Sequence, residues 1–166
     1  MIVIGIDPGE KKSALVVLQK REGKNWTITI KDIMPNTIVK KMVQACLQLS
    51  PGPGKYIVIE KMVNYNQKVG ASVFSTVEWV GRFKECFELE PNCTEVISMP
   101  RKPAVGHLCD FGHDGDKEVR EALIKRFGDP GTKAKPGVLY EFSNHTWAAL
   151  AIAVTYIDKT LEDKIK

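Results

Sequence analysis

Two acidic residues, Asp7 and Glu60, each close a short apolar run. Ile2-Val3-Ile4-Gly5-Ile6 leads into Asp7 and a Pro8-Gly9 turn, and Tyr56-Ile57-Val58-Ile59 leads into Glu60. Apolar runs of this length bounded by turn signals read as buried strands. A charge at the exit of a buried strand is costly unless something pairs with it. A metal ion, a phosphate-bearing ligand or a local hydrogen bond can each be that partner. If the two strands lie parallel and adjacent, the carboxylates share one sheet edge with their backbones about 5 Å apart. That C-terminal edge is where α/β sheets build their sites. Two bare carboxylates so placed repel, and one takes up a proton unless a cation lies between them. The plainer alternative is a pair of solvated strand-end acids.

The elements between them make that adjacency plausible on topological grounds. Ser13–Leu18 reads as a second strand, Lys20–Lys24 as a polar link, and Trp26–Ile30 as a third, half-exposed strand, together an antiparallel meander. Asn36 is a candidate N-cap for a helix carrying Ile38, Val39, Met42, Val43, Cys46 and Leu47 at helical spacing. A helix before the fourth strand lets that strand return parallel to the first. A polar loop, Met62 to Ser72, then precedes a helix over 71–89. Glu95–Ser98 reads as a fifth strand, followed through Pro100-Arg101-Lys102-Pro103 by a long irregular segment, a helix over 117–127 and a last helix over 144–163. The small residues Ala148, Ala149, Ala151 and Ala153 allow that last helix to approach the sheet closely.

The chain has 166 residues, 43% hydrophobic and 27% charged, with a net charge of +4. One domain spanning 1–166 is expected, with a core that needs no staples. No apolar run approaches the roughly 18–20 residues of a membrane span, and the first strand is too short for a signal peptide. An intracellular, cytoplasmic protein is expected. Cys46, Cys86, Cys93 and Cys109 lack C-x-x-C spacing and read as buried free thiols rather than a zinc site. The mild basicity permits a phosphate-rich partner without demanding one.

The element order resembles the ribonuclease H-like fold: an α/β architecture with a five-stranded mixed sheet, three antiparallel strands then two parallel, flanked by helices. Within it, Gly5-Ile6-Asp7-Pro8-Gly9, Ile59-Glu60-Lys61, Asn66-Gln67-Lys68-Val69-Gly70-Ala71-Ser72 with Gly81-Arg82, and His145 before Ala149-Leu150-Ala151-Ile152-Ala153 resemble the motifs of RuvC-type Holliday junction resolvases, including phage and prophage members. The similarity covers nearly the whole chain. It implies an endonuclease holding two magnesium ions (Mg2+, with Mn2+ as a substitute) that activate water and stabilise the leaving oxygen. Asp7 would bridge both ions and Glu60 would bind one. His145 falls where the family places an Asp or His at the start of its last helix. Lys102 and Lys117 resemble its lysines near the scissile phosphate. The implied partner is branched DNA, a four-way junction, nicked symmetrically by a homodimer. The helix carrying Val73, Phe74, Val77, Trp79 and Val80 is more apolar than one buried face requires and is the expected dimer surface.

Of the loop and linker residues, Arg101, Asn66 and Lys68 are candidates for DNA contacts, and Tyr65 for stacking on an unpaired base. One departure from the family pattern stands out. Where another acidic ligand is usual, one turn after His145, this chain has Ala148. Engineered inactivation, natural loss of cleavage, or replacement by Asp110, Asp114, Asp116 or Glu141 all account for it. A branched-DNA-binding protein without cleavage is therefore one rival reading. An actin-like ATPase or sugar kinase, which shares the Asp-x-Gly turn, is another, but it needs a second lobe that 166 residues do not hold.

Overall fold

A computed structural model describes residues 1–50, 52–64, 68–109 and 115–162. Its sheet has the order β3-β2-β1-β4-β5, built from β1 (Ile2–Asp7), β2 (Lys12–Gln19), β3 (Thr27–Pro35), β4 (Lys55–Lys61) and β5 (Glu95–Pro100). The first three strands pair antiparallel, whereas β1–β4 and β4–β5 pair parallel. Between β3 and β4 lies α1 (Asn36–Leu49), and between β4 and β5 lies α2 (Ala71–Glu88). After the sheet come α3 (Arg101–Leu108), α4 (Asp116–Phe127) and α5 (Asn144–Tyr156), the last continued by a wider π-helical turn, Ile157–Glu162. This is the five-stranded mixed sheet expected from the sequence.

Side-chain alternation divides the core into two layers. Ile2, Ile4 and Ile6 of β1, with Ile57 and Ile59 of β4, pack beneath α1 and α2 together with Phe83 and Phe87. Val3 and Val58 face the opposite layer, against Ala149, Leu150, Ala153 and Val154 of α5. Buried on both faces, β1 can be apolar throughout. The two-residue period then decides where the acids point: Asp7 follows Val3 and Gly5, and Glu60 follows Val58, so both lie on the α5 side.

Helix α5 is buried from Thr146 to Tyr156 without a gap, as befits a helix apolar on every side. Its backbone rests directly on β1, since a Cβ on Gly5 would overlap the Ala149 carbonyl and meet the Ala153 methyl at 3.1 Å. The alanines do what their size suggested.

Four expectations need correction. The segment after β5 is helical: Pro103 sits in the first turn of α3, where its missing N–H would have no partner anyway. Asn36 is the first residue of α1 and not its cap, because its side chain turns inward to other work described below. Trp79 and Val80 pack towards the Phe83 layer, so the exposed apolar face of α2 narrows to Phe74 and Val77, 66% and 50% exposed. The four cysteines are half-buried rather than buried. Among the described residues no helix is long and apolar enough to cross a membrane.

Candidate active site

Asp7 and Glu60 sit one step beyond the last registered pair of the parallel β1–β4 ladder, Ile6 opposite Ile59. The adjacency inferred from the sequence is therefore present, on the face covered by α5. Burial raises the Glu60 carboxyl to about 7, with the neighbouring Asp7 charge adding to the rise and Arg101 opposing it. Asp7 is also raised, again chiefly by burial, although a hydrogen bond and the charge of His145 pull the other way.

His145 arrives from the first turn of α5, with Nδ1 at 2.7 Å from Asp7 Oδ2. Ser143 caps that helix by accepting from the Thr146 N–H, and Arg120 of α4 donates to Asn144 Oδ1 at 2.6 Å. The positive end of the α5 dipole thus faces the carboxylates. When Asp7 is ionised it can only accept, so Nδ1 carries the hydrogen of this contact, and Nε2 lies on an exposed ring.

On the other side, Arg101 opens α3 directly after β5. Its Nη2 donates to Asp116 Oδ1 at 2.6 Å, and its Nη1 lies 3.9 Å from Glu60 Oε2. The second distance is an ion pair but too long for a hydrogen bond. Glu60 Oε2 is accordingly buried with no hydrogen-bond partner. Buried charged oxygens are rarely left so.

The turn behind Asp7 is braced by two residues that the sequence did not single out for this task. Ser13 Oγ donates to Asn36 Oδ1 at 2.6 Å and accepts from Gly9 N–H at 3.2 Å, while Asn36 Nδ2 donates to the Gly9 carbonyl at 2.9 Å. Both residues are buried. The available signal was a Ser at the start of an apolar strand and an Asn with no apolar role; neither names its partner.

The other proposed contacts scatter around this centre. Lys102, on the first turn of α3, and Lys68 are exposed. Lys117 follows Asp116 on α4 and pairs loosely with Glu121 at 3.8 Å, an exposed pair that contributes little. Tyr65 and Asn66 lie outside the described residues, as do Asp110 and Asp114. Ala148 is buried and lines a cleft with Arg101, Asp116, Arg120 and Asn144.

The arrangement suits a hard divalent cation. Its donors are carboxylate oxygens, both carboxyls are destabilised as anions by burial, and one oxygen lacks a hydrogen-bond partner. Asp7 and Glu60 would hold the ion. Among the described residues, no three His, Cys, Asp or Glu side chains already stand together at metal-holding distance.

No family model matches the chain, and no curated protein matches it in sequence. Solved structures do match. The RuvC structure of Thermus thermophilus aligns over 98% of this chain and 97% of its own, with a TM-score of 0.64 at 20% identity. The fowlpox virus resolvase, in complex with substrate Holliday junction DNA, aligns over 97% and 99% with a TM-score of 0.58 at 13% identity. Ydc2, the yeast mitochondrial Holliday junction resolvase, aligns over 93% and 77% with a TM-score of 0.59 at 11% identity. The class these define is the ribonuclease H-like α/β fold. Across nearly its full length this chain shares the fold of these resolvase structures.

Proposed function

We propose that the protein is a structure-selective DNA endonuclease that resolves four-way junctions by paired symmetric nicks. The observation that carries this reading is the Asp7–Glu60 pair, in which buried Glu60 has an oxygen without a hydrogen-bond partner, at the sheet edge of a fold shared with junction resolvases. When bound, Mg2+ would supply Lewis-acid activation of water and of the phosphodiester. The chain's own residues do the rest. Asp7 and Glu60 would hold the cation, and their burial limits screening of their charges by bulk water. His145, oriented through Nδ1 by Asp7, presents Nε2 to accept a proton from an attacking water. Lys102, Lys117 and Lys68 are exposed and offer phosphate contacts.

Paired nicks require two such sites on one two-fold particle. The exposed Phe74 and Val77 on α2 are the surface proposed for the homodimer. The one-domain organisation and a cytoplasmic location belong to the same reading.

A labelled four-way junction incubated with Mg2+, and in parallel with EDTA, tests it: metal-dependent paired cuts are expected, and an uncut junction under both conditions refutes cleavage. Buried Ala148 favours one alternative, a branched-DNA-binding protein without turnover. Tight junction binding with no cutting, and cutting gained by Ala148→Asp, would establish that alternative.

A further inference from the structure

One guanidinium spans two carboxylates from different parts of the fold. Arg101 holds Asp116 by a short hydrogen bond and reaches Glu60 only at 3.9 Å. Glu60 itself is 8% exposed, and its buried Oε2 lacks a hydrogen-bond partner. A cation of the right sign is present, but it satisfies the exposed acid and not the buried one.

The cleft wall beside this arrangement is where Ala148 stops at its Cβ. Across it stands Asp116, at the head of α4, with a side chain 58% exposed and not packed in place. Glu141 lines a different cleft, with Lys31, Asp32, Ser143 and Thr146. Among the described acids offered as a substitute for Ala148, only Asp116 shares its cleft.

We infer that Asp116 is the third carboxylate of the cation site, supplied from α4 where α5 contributes none. Arg101 holds its place in the absence of the ion and yields it on binding. This inference rests on the metal-dependent reading above and deepens it. A doubly charged ion takes carboxylate oxygens at about 2.1 Å, closer than any guanidinium hydrogen bond. Asp116 therefore gains by exchanging Arg101 for the ion, at the cost of one exposed rotamer. The exchange also frees Arg101, beside Lys102, for a phosphate.

The test is calorimetric titration of Mn2+ into the intact chain and its variants, with circular dichroism to confirm folding. Wild type should bind, Asp7→Asn should not, and Asp116→Asn should bind about tenfold or more weakly, since even indirect partners of a metal contribute that much. Ala148→Asp should restore the affinity of Asp116→Asn. Asp116→Cys should prefer Cd2+ over Mn2+ relative to wild type and show a thiolate-to-cadmium absorption band beyond that of the four native cysteines. Unchanged Mn2+ binding by Asp116→Asn, with binding lost in Asp7→Asn, overturns the role of Asp116 and leaves the nuclease reading intact. Weakened binding without the cadmium preference also overturns it, because Asp116 would then act only as a nearby charge. Wild type that binds no Mn2+ removes both readings together.

Discussion

Replacing Glu60 by Gln should make the metal-free protein more stable at neutral and alkaline pH. The Glu60 carboxyl moves from 4.5 in the unfolded chain to about 7 in the folded one, chiefly because burial penalises the anion. The sign follows from proton counts. Below about pH 4.5 both states are protonated and Glu60 contributes no pH dependence. Between about 4.5 and 7 the folded state keeps a proton that the unfolded state has released, so stability falls as pH rises. Above about 7 the loss is complete, and at about 1.4 kcal/mol per pH unit it reaches at most about 3 kcal/mol. Gln keeps the volume and removes the anion. With a slope of about 2 kcal/mol per molar urea, the variant's unfolding midpoint should rise by as much as about 1.5 M at about pH 8 in EDTA, and the gain should vanish near pH 4.5. Magnesium should cancel that advantage, since ligand at a hundredfold excess over its dissociation constant stabilises wild type by about 3 kcal/mol and Gln offers no second carboxylate. A variant less stable than wild type at alkaline pH without metal, or a difference that does not change with pH, would falsify the claim that Glu60 is a buried, underpaired anion.

Three further outcomes follow from other parts of the molecule. Asn36→Ala leaves Ser13 and the Gly9 carbonyl short of partners and should cost about 2 kcal/mol, seen as a melting temperature lower by about 4–8 °C; an unchanged melt would mean that the brace is not needed. Phe74→Glu with Val77→Glu places charges on the exposed α2 face, and sedimentation equilibrium should show a dimer for wild type and a monomer for the variant; a wild-type monomer would remove the proposed dimer surface. Lys102→Ala should reduce the salt dependence of junction binding by about 0.9 in the log–log slope for one lost phosphate contact, read by fluorescence anisotropy; an equal slope would remove Lys102 from the DNA surface.

Much of the site's frame was legible because it depends on local pattern. Asp7 and Glu60 each end an apolar run, and a helix between β3 and β4 leaves few ways for β4 to return beside β1. His145 could be placed only by its likeness to a family motif, since one His at the start of a helix has no direction in sequence. The α3 helix was hidden by Pro103 and Gly106, which break the helical pattern although a first-turn proline is harmless. The Ser13–Asn36 brace and the Arg101–Asp116 pair join residues 23 and 15 positions apart across different elements. No periodicity encodes such pairings. The inward turn of Trp79 and Val80 was missed for a related reason: apolar residues on three sides of α2 do not say which sides the sheet covers.

The contact between Gly5 and the Ala149 carbonyl has a consequence for how the site can adjust. Backbone against backbone leaves no side chain to repack, so α5 cannot slide or tilt relative to β1 without opening the core. Asp7 and His145 thus belong to a fixed jaw. Across the cleft, α3 and α4 pack Ala104, Val119 and Leu123 into the same core but reach the site through Arg101 and Asp116, side chains 42% and 58% exposed and so able to change rotamer. Accommodation of ions of different radius, or of a strand arriving at a different angle, falls to that second jaw. Substitutions that retune the protein for another substrate should therefore accumulate in α3 and α4, while Gly5 and the alanines of α5 tolerate almost none.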